Sequence, residues 1–321
     1  MAAAISSAQG SERMDHVATA PPSAQTQHLS QSDTIGQLLR HPAFDGFASL
    51  ILPWDDRTYD LSAPLRSMGA LLPYHSEVRP AVAVDALNGI IDEVAAGRQV
   101  FYPLYDTAAV ASDPSRGSAG LFFFRGEPGA PFAIVSPGGG FAYVGSLHEG
   151  FPYAQAIAEA GLNAFVLRYR PGQGGRIATE DLAVAIEFVL DNAGDLQVAP
   201  EHYSLWGSSA GARMAAAIGS HGVAAFGGGD RPPPATVVMA YTAHTDLAAD
   251  EPPTFVVVGE RDGIAPPAVM QRRVEALRRQ ETTVEYREFA NLGHGFGLGT
   301  GTVAEGWLDE AIAFWRRRIG D

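Results

Sequence analysis

The chain has 321 residues, 46% hydrophobic and 18% charged, which is enough apolar material for one large core or two modest domains. Its 22 basic and 36 acidic residues give a net charge of −14, which excludes the basic footprint of a nucleic-acid binder and sets the chain against an anionic membrane surface. There is no cysteine and every basic residue is arginine, so disulfides, thiolate nucleophiles, cysteine zinc sites, lysine Schiff bases and a phosphate-loop lysine are all excluded.

Residues 1 to about 32 are rich in Ala, Ser, Gln and Pro, with no basic start and no sustained apolar stretch. They read as a flexible tail rather than a signal peptide, which makes a cytoplasmic location the default expectation. No apolar run reaches the roughly 18 residues that a membrane-spanning helix needs.

From residue 33 to 98 the pattern is helical and punctuated by proline. The best amphipathic stretch is 81–97, where Val82, Leu87, Ile90, Ile91 and Val94 recur at spacings of three and four. A segment this rich in bulky apolar residues, without a strand pattern, is expected to pack on something else. It is a candidate cap for a site in the following domain, with Phe44, Phe47, Trp54 and Tyr74 as candidate contacts.

At Gln99 the character changes. Residues 99–105 and 120–126 read as strands separated by a turn-rich stretch. Strands are then predicted at 131–139, 162–170, 202–207, 234–242, 252–260 and 283–289. Helices are predicted between them at 148–161, closed by Gly161; at 178–196, with Thr179 as N-cap; at 209–222; and at 266–280. The last helix, 303–320, ends in the Arg316–Arg318 run, where cations suit the helix dipole. Continuous apolar strands alternating with helices predict a mostly parallel sheet covered on both faces.

Such sheets carry their sites at the carboxyl ends of the strands, and four of these ends hold unusual residues. Gly207-Ser208-Ser209-Ala210-Gly211 is a G-x-S-x-G motif between a strand and a small-residue helix. The turn is so tight that Ser209 needs small neighbours, and it sets the hydroxyl at a helix N-terminus. Pro137-Gly138-Gly139-Gly140-Phe141 lets backbone N–H groups point into a site, as oxyanion stabilisation requires. It has no G-x-G-x-x-G register for a dinucleotide. Asp262, and less favourably Glu260, follows the strand at 252–260 and offers a carboxylate to hold a histidine. His294, between Gly293 and Gly295, precedes the last helix and is free to swing over a nucleophile.

In this order Ser209, Asp262 and His294 resemble the α/β-hydrolase fold, in particular the bacterial esterase/lipase group of hormone-sensitive-lipase-like and acetyl- or feruloyl-esterase-like enzymes. The likeness covers residues 99 to 321. It implies Ser209 as nucleophile, His294 as general base, Asp262 as its orienter, and an oxyanion hole from the amides of Gly139, Gly140 and Ala210. The group commonly carries histidine where this chain has Pro137.

The expected activity is serine ester hydrolysis on short acyl or acetyl esters, with a small-molecule ester as partner. Phe141, Tyr143, His148 and Ser208 are candidate substrate contacts. No cofactor is expected. No metal is expected either, since H-E-x-x-H is absent and His244 with Asp246 makes at most a pair. A peptidase, amidase or acyltransferase on the same fold, or a silent binding protein, stays open as the alternative.

Overall fold

The structure, a computed structural model, describes residues 27–320. Most of the expected tail, residues 1–26, lies outside the described residues. The rest of it is anchored rather than loose. Leu29 is buried, its amide donates to Asn88 Oδ1 at 2.8 Å, and Asn88 Nδ2 donates back to the Leu29 carbonyl at 3.0 Å.

The N-terminal segment holds three α-helices: α1 (Ile35–Leu39), α2 (Ala48–Ile51) and α3 (Pro80–Ala95). Thr34 and Gln37 close a reciprocal capping box on α1, satisfying amides that the helix cannot bond itself. On α3 the buried stripe includes Leu87, Ile90 and Ile91 as expected. It turns toward Ala83, Val84 and Ala86 and leaves Val82 and Val94 half-buried. Its neighbours choose that phase, α5 and the 3-10 turns Pro42–Phe44 and Leu65–Leu71, and none is visible from helical periodicity alone.

Eight strands then form one sheet: β1 (Phe101–Pro103), β2 (Gly120–Phe124), β3 (Pro131–Ser136), β4 (Asn163–Arg168), β5 (Ala199–Ser208), β6 (Thr236–Ala240), β7 (Thr254–Gly259) and β8 (Val284–Phe289). Their order is β1-β2-β4-β3-β5-β6-β7-β8, with β2 antiparallel to both its neighbours, β1 and β4, and every other pairing parallel. The connecting helices are α4 (Thr107–Ser112), α5 (Phe151–Glu159), α6 (Gly174–Asp191), α7 (Ala193–Leu196), α8 (Ala210–His221), α9 (Pro267–Arg279) and α10 (Trp307–Ile319). No described helix is long and apolar enough to cross a membrane.

Two cores sandwich the sheet. One joins Leu38, Phe44, Ile51, Leu87 and Ile90 of the N-terminal segment to Phe122, Val166, Trp206, Phe255 and Trp315. The other packs Leu182, Ile186, Met214 and Met270 against Ile134, Leu205 and Val256. Burying aliphatic and aromatic side chains in this way stabilises by roughly 1.5–3 kcal/mol each, so residues 33–98 contribute a large share of one core. Arg168, fully buried at the end of β4, ties the segment down. Its guanidinium donates to the Leu50 carbonyl at 3.2 Å and pairs with Asp55.

Helix starts depart from expectation in three places, α5, α6 and α10, the last beginning at Trp307 rather than at 303. Helix α6 begins at Gly174, so Thr179 is not its cap. Its hydroxyl donates to the Gly175 carbonyl at 2.7 Å from within the helix. Before α5, residues Ser146–Gly150 form a wide π-type turn, and the α-helix proper starts at Phe151.

Candidate active site

Strand β3 lies between β4 and β5, with Ser136 paired to Gly207. This register places the glycine loop after β3 beside the Ser209 turn after β5. Ser209 has φ 50° and ψ −111°, a backbone state that non-glycine residues avoid, and its amide donates to the Ala240 carbonyl at 2.8 Å. The flanking glycines are required. A Cβ on Gly207 would lie 2.3 Å from the Gly211 carbonyl carbon, and one on Gly211 would lie 1.8 Å from the Ser136 oxygen. The strain at Ser209 lifts its hydroxyl out of the strand.

His294 Nε2 lies 2.8 Å from Ser209 Oγ, and His294 Nδ1 lies 2.7 Å from Asp262 Oδ2. Both Asp262 and His294 are buried. Asp262 Oδ1 accepts the amides of Ile264 at 2.9 Å and Ala265 at 2.7 Å, which orients the carboxylate. An ionised carboxylate only accepts, so Nδ1 carries the proton and Nε2 turns its lone pair toward the Ser209 hydroxyl. Glu260, the rival acid, instead accepts the Asn291 amide at 2.9 Å.

In the glycine loop, Gly139 has φ +133° and Gly140 has φ +63°. The Gly138 amide is spent on Glu149 Oε2 at 2.7 Å. Among the described residues no hydrogen bond engages the amides of Gly139, Gly140 or Ala210. Ala210 opens helix α8, whose positive dipole end faces the same turn. A Cβ on Gly138 would come within 3.1 Å of Ser209 Cβ, so the loop lies directly against the serine.

Three expected substrate contacts are corrected. Tyr143 is fully buried, with its hydroxyl accepting the Tyr74 amide at 3.1 Å and meeting His75 Nδ1 at 2.9 Å. His148 is buried under the histidine loop and donates from Nε2 to the Gly295 carbonyl at 2.9 Å. Ser208 is buried, with Oγ 3.5 Å from the Tyr153 hydroxyl. Tyr143 and His148 are turned inward because the N-terminal segment and the loop after β8 pack over the turn that follows the glycines, and Ser208, at the end of β5, faces Tyr153 of α5. Only Phe141 stays half-exposed, its ring edge-on to Tyr169.

The cap contacts divide in the same way. Phe44 and Phe47 pack into the sheet, Phe47 stacking on Phe101. Trp54 is enclosed between Tyr143 and the Arg57 guanidinium. Only Tyr74 reaches the rim, 44% exposed and 3.1 Å from where a Cβ on Gly140 would sit. A cavity of about 790 Å³ lined by Trp54, Asp55, Tyr59, Ala142 and Gly172 adjoins the glycine loop, yet no member of the Ser209–His294–Asp262 chain lines it.

Burial, reinforced by Arg273 and Arg213, pushes His244 down to about 4, and its Nε2 has no partner among the described residues. Asp246 pairs with His221 at 2.6 Å instead.

Sequence reasoning missed Glu149, His75, Ser76 and Tyr241. Glu149 carries a signal, an acid directly behind the glycine loop at the entrance to an apolar helix. The other three carry none, since their partners lie far away in sequence.

No family model matches the chain. An acetylxylan esterase from Xylanibacter ruminicola is 31% identical over 104 residues, which are 32% of this chain and 22% of that protein. The matched stretch thus spans about a fifth of the relative's length. Among solved structures, an acetyl ester-xyloside bifunctional hydrolase from Caldicellulosiruptor lactoaceticus has a TM-score of 0.59 at 22% identity, covering 68% of this chain and 96% of its own. The enzyme MGS-M1 from a Medee basin deep-sea metagenome library, described as an α/β hydrolase, has a TM-score of 0.56 at 22% identity, with 63% and 93% covered. Esterase 2 of Thermogutta terrifontis has a TM-score of 0.55 at 18% identity, with 63% and 88% covered. The chain has the α/β-hydrolase fold.

Proposed function

We propose that the chain is a serine carboxylic-ester hydrolase acting on short acyl esters, acetyl esters first. The observation that carries this reading is the strained Ser209, hydrogen-bonded to His294, which is in turn held by Asp262. The free amides beside it and the acetyl-ester names of its relatives support it. Residues 99–321 are assigned to the catalytic domain. Residues 33–98 are a helical support for it, with Tyr74 at the rim of the site.

In the reading proposed, Ser209 Oγ attacks the ester carbonyl carbon while its proton passes to His294 Nε2. The imidazolium so formed is stabilised by Asp262. The amides of Gly139, Gly140 and Ala210 hold the oxyanion. When the tetrahedral intermediate collapses, His294 returns that proton to the departing alkoxide and the alcohol leaves. Water then attacks the acyl-serine and gives a proton to His294. His294 passes it back to Ser209 Oγ as the free acid departs.

Hydrolysis of p-nitrophenyl esters from C2 to C12 tests this. Turnover that peaks at the short esters and is lost in Ser209→Ala is expected. A folded protein that turns over none of them, or whose Ser209→Ala variant is equally active, would refute it. Cleavage of amides but not esters would move the reading to an amidase.

A further inference from the structure

We infer that His75 and Glu149 are positioning residues, a buried couple through which the N-terminal segment sets the geometry of the oxyanion loop. The inference rests on the esterase reading above.

Glu149 sits on the wide turn Ser146–Gly150, and its side chain is 1% exposed. A carboxylate so placed is costly unless its oxygens are bonded. Here three loops bond it. Oε2 accepts the Gly138 amide at 2.7 Å. Oε1 accepts the Tyr241 hydroxyl at 2.7 Å and lies 3.0 Å from His75 Nε2. Burial pushes the carboxyl up, but His75, His148 and the Tyr241 hydroxyl outweigh it and hold the group at about 2. Tyr241 in turn sets its ring edge-on against His294 at 5.3 Å.

The Gly138 peptide groups are therefore tied on both sides. Its amide goes to Glu149, and its carbonyl accepts the Gly145 amide at 2.9 Å. The next amides along the chain are those of Gly139 and Gly140. Their direction depends on the peptide at Gly138 not turning, and the glycines themselves supply little stiffness. His75 is braced from behind, where its Nδ1 lies 2.9 Å from the Tyr143 hydroxyl.

The adjoining Ser76 serves the other half of the site. Its amide donates to the Gly295 carbonyl at 3.0 Å and its hydroxyl to the His294 carbonyl at 2.8 Å. Two consecutive residues of the N-terminal segment thus reach the oxyanion loop and the histidine loop together.

The test uses the full chain with His75→Ala, His75→Gln and Glu149→Gln. Turnover of p-nitrophenyl acetate is measured alongside inhibition by a phenyl trifluoromethyl ketone, which adds to serine as a tetrahedral oxyanion, and thermal melting. For His75→Ala the expected result is a loss of about 10- to 100-fold in kcat, as small misplacements at a reacting centre produce. KM should stay within about twofold, and ketone affinity should fall by the same factor as kcat/KM. Glu149→Gln should do the same, because its NH₂ cannot accept what both carboxylate oxygens now accept. His75→Gln, whose amide nitrogen can reach the Nε2 position, should recover most of the loss.

If His75→Ala does not fold, Tyr143→Phe keeps the volume and removes the brace together with the acceptor of the Tyr74 amide, and the same paired fall in kcat and ketone affinity is expected at smaller size. Variants that fold, turn over and bind the ketone as the wild type does would overturn the inference. So would losses confined to KM or to the fraction of folded protein. A wild type that neither hydrolyses esters nor binds the ketone overturns the esterase reading and this inference with it, whereas an active wild type with unaffected variants overturns this inference alone.

Discussion

Gly211 of α8 lies against the carbonyl of Ser136 at the end of β3, so closely that a Cβ there would stand 1.8 Å from the oxygen. The contact sets how near helix α8 can come to the sheet, and hence where Ser209 stands. Gly211→Ala must push backbone against backbone, and neither side is a flexible tip. The expected outcome is either failure to fold or a folded protein with kcat down by at least about 10²-fold. Circular dichroism together with p-nitrophenyl acetate turnover separates the two, and near-normal activity would contradict the packing described.

Asp262→Asn tests the orientation of His294. The amides of Ile264 and Ala265 hold Oδ1 of Asp262, so an asparagine would place its oxygen there and its NH₂ against His294 Nδ1. The ring would then carry its proton on Nε2 and could no longer accept from Ser209. A fall of about 10⁴-fold in kcat at neutral pH is expected, with little change in melting temperature. A variant retaining more than about a tenth of the activity would count against the assigned role.

Stability should fall as the medium is acidified from about pH 6.5 to 4. Burial, with a contribution from His75, holds His148 at about 4, and burial with Arg273 and Arg213 does the same for His244. Between the folded and unfolded values the unfolded chain binds more protons, so the free energy of unfolding rises with pH and levels off above about 6.5. Each histidine contributes up to about 3 kcal/mol to that difference. Glu149, held at about 2 against an ordinary 4.5, adds stability that is present above pH 4.5 and lost between 4.5 and 2. Denaturant unfolding at pH 7.5, 6 and 5 measures the slope. His244→Gln should flatten it, and an unchanged slope would exclude a buried neutral His244.

A chain beginning at Gln99 should not stay in solution. Phe101 and Phe122 would lose Phe47, fully buried Arg168 would lose Asp55 and the Leu50 carbonyl, and Glu149 would lose His75. A buried charge left without its partner costs several kcal/mol. Sedimentation of the truncated protein and binding of a hydrophobic dye are the readouts. A soluble chain with cooperative unfolding would show that the N-terminal segment is dispensable for the fold.

Much of the site was legible because its constraints are local. Gly207 and Gly211 stand within two residues of Ser209 and report the tightness of its turn. The three glycines after β3 report a backbone that must approach something closely. A parallel sheet puts the carboxyl ends of its strands on one edge, so the loops carrying Ser209, Asp262 and His294 had to be neighbours once the alternation of strands and helices was read.

The fate of Tyr143, His148 and Ser208 was not legible. Sequence places them beside the glycine loop or the serine, but their exposure depends on which element covers them. The cover comes from Tyr74 and His75, 69 and 68 positions from Tyr143, and from Gly295, 147 positions from His148. The phase of α3 was hidden in the same way. Steric needs within a turn and the period of a strand or helix are written in neighbouring residues, and the sequence alone determined those. Which face of a side chain meets solvent, and which distant histidine meets a buried Glu149, is decided only when the sheet, the N-terminal segment and the loop after β8 close on one another. Those contacts join residues whose spacing along the chain carries no period.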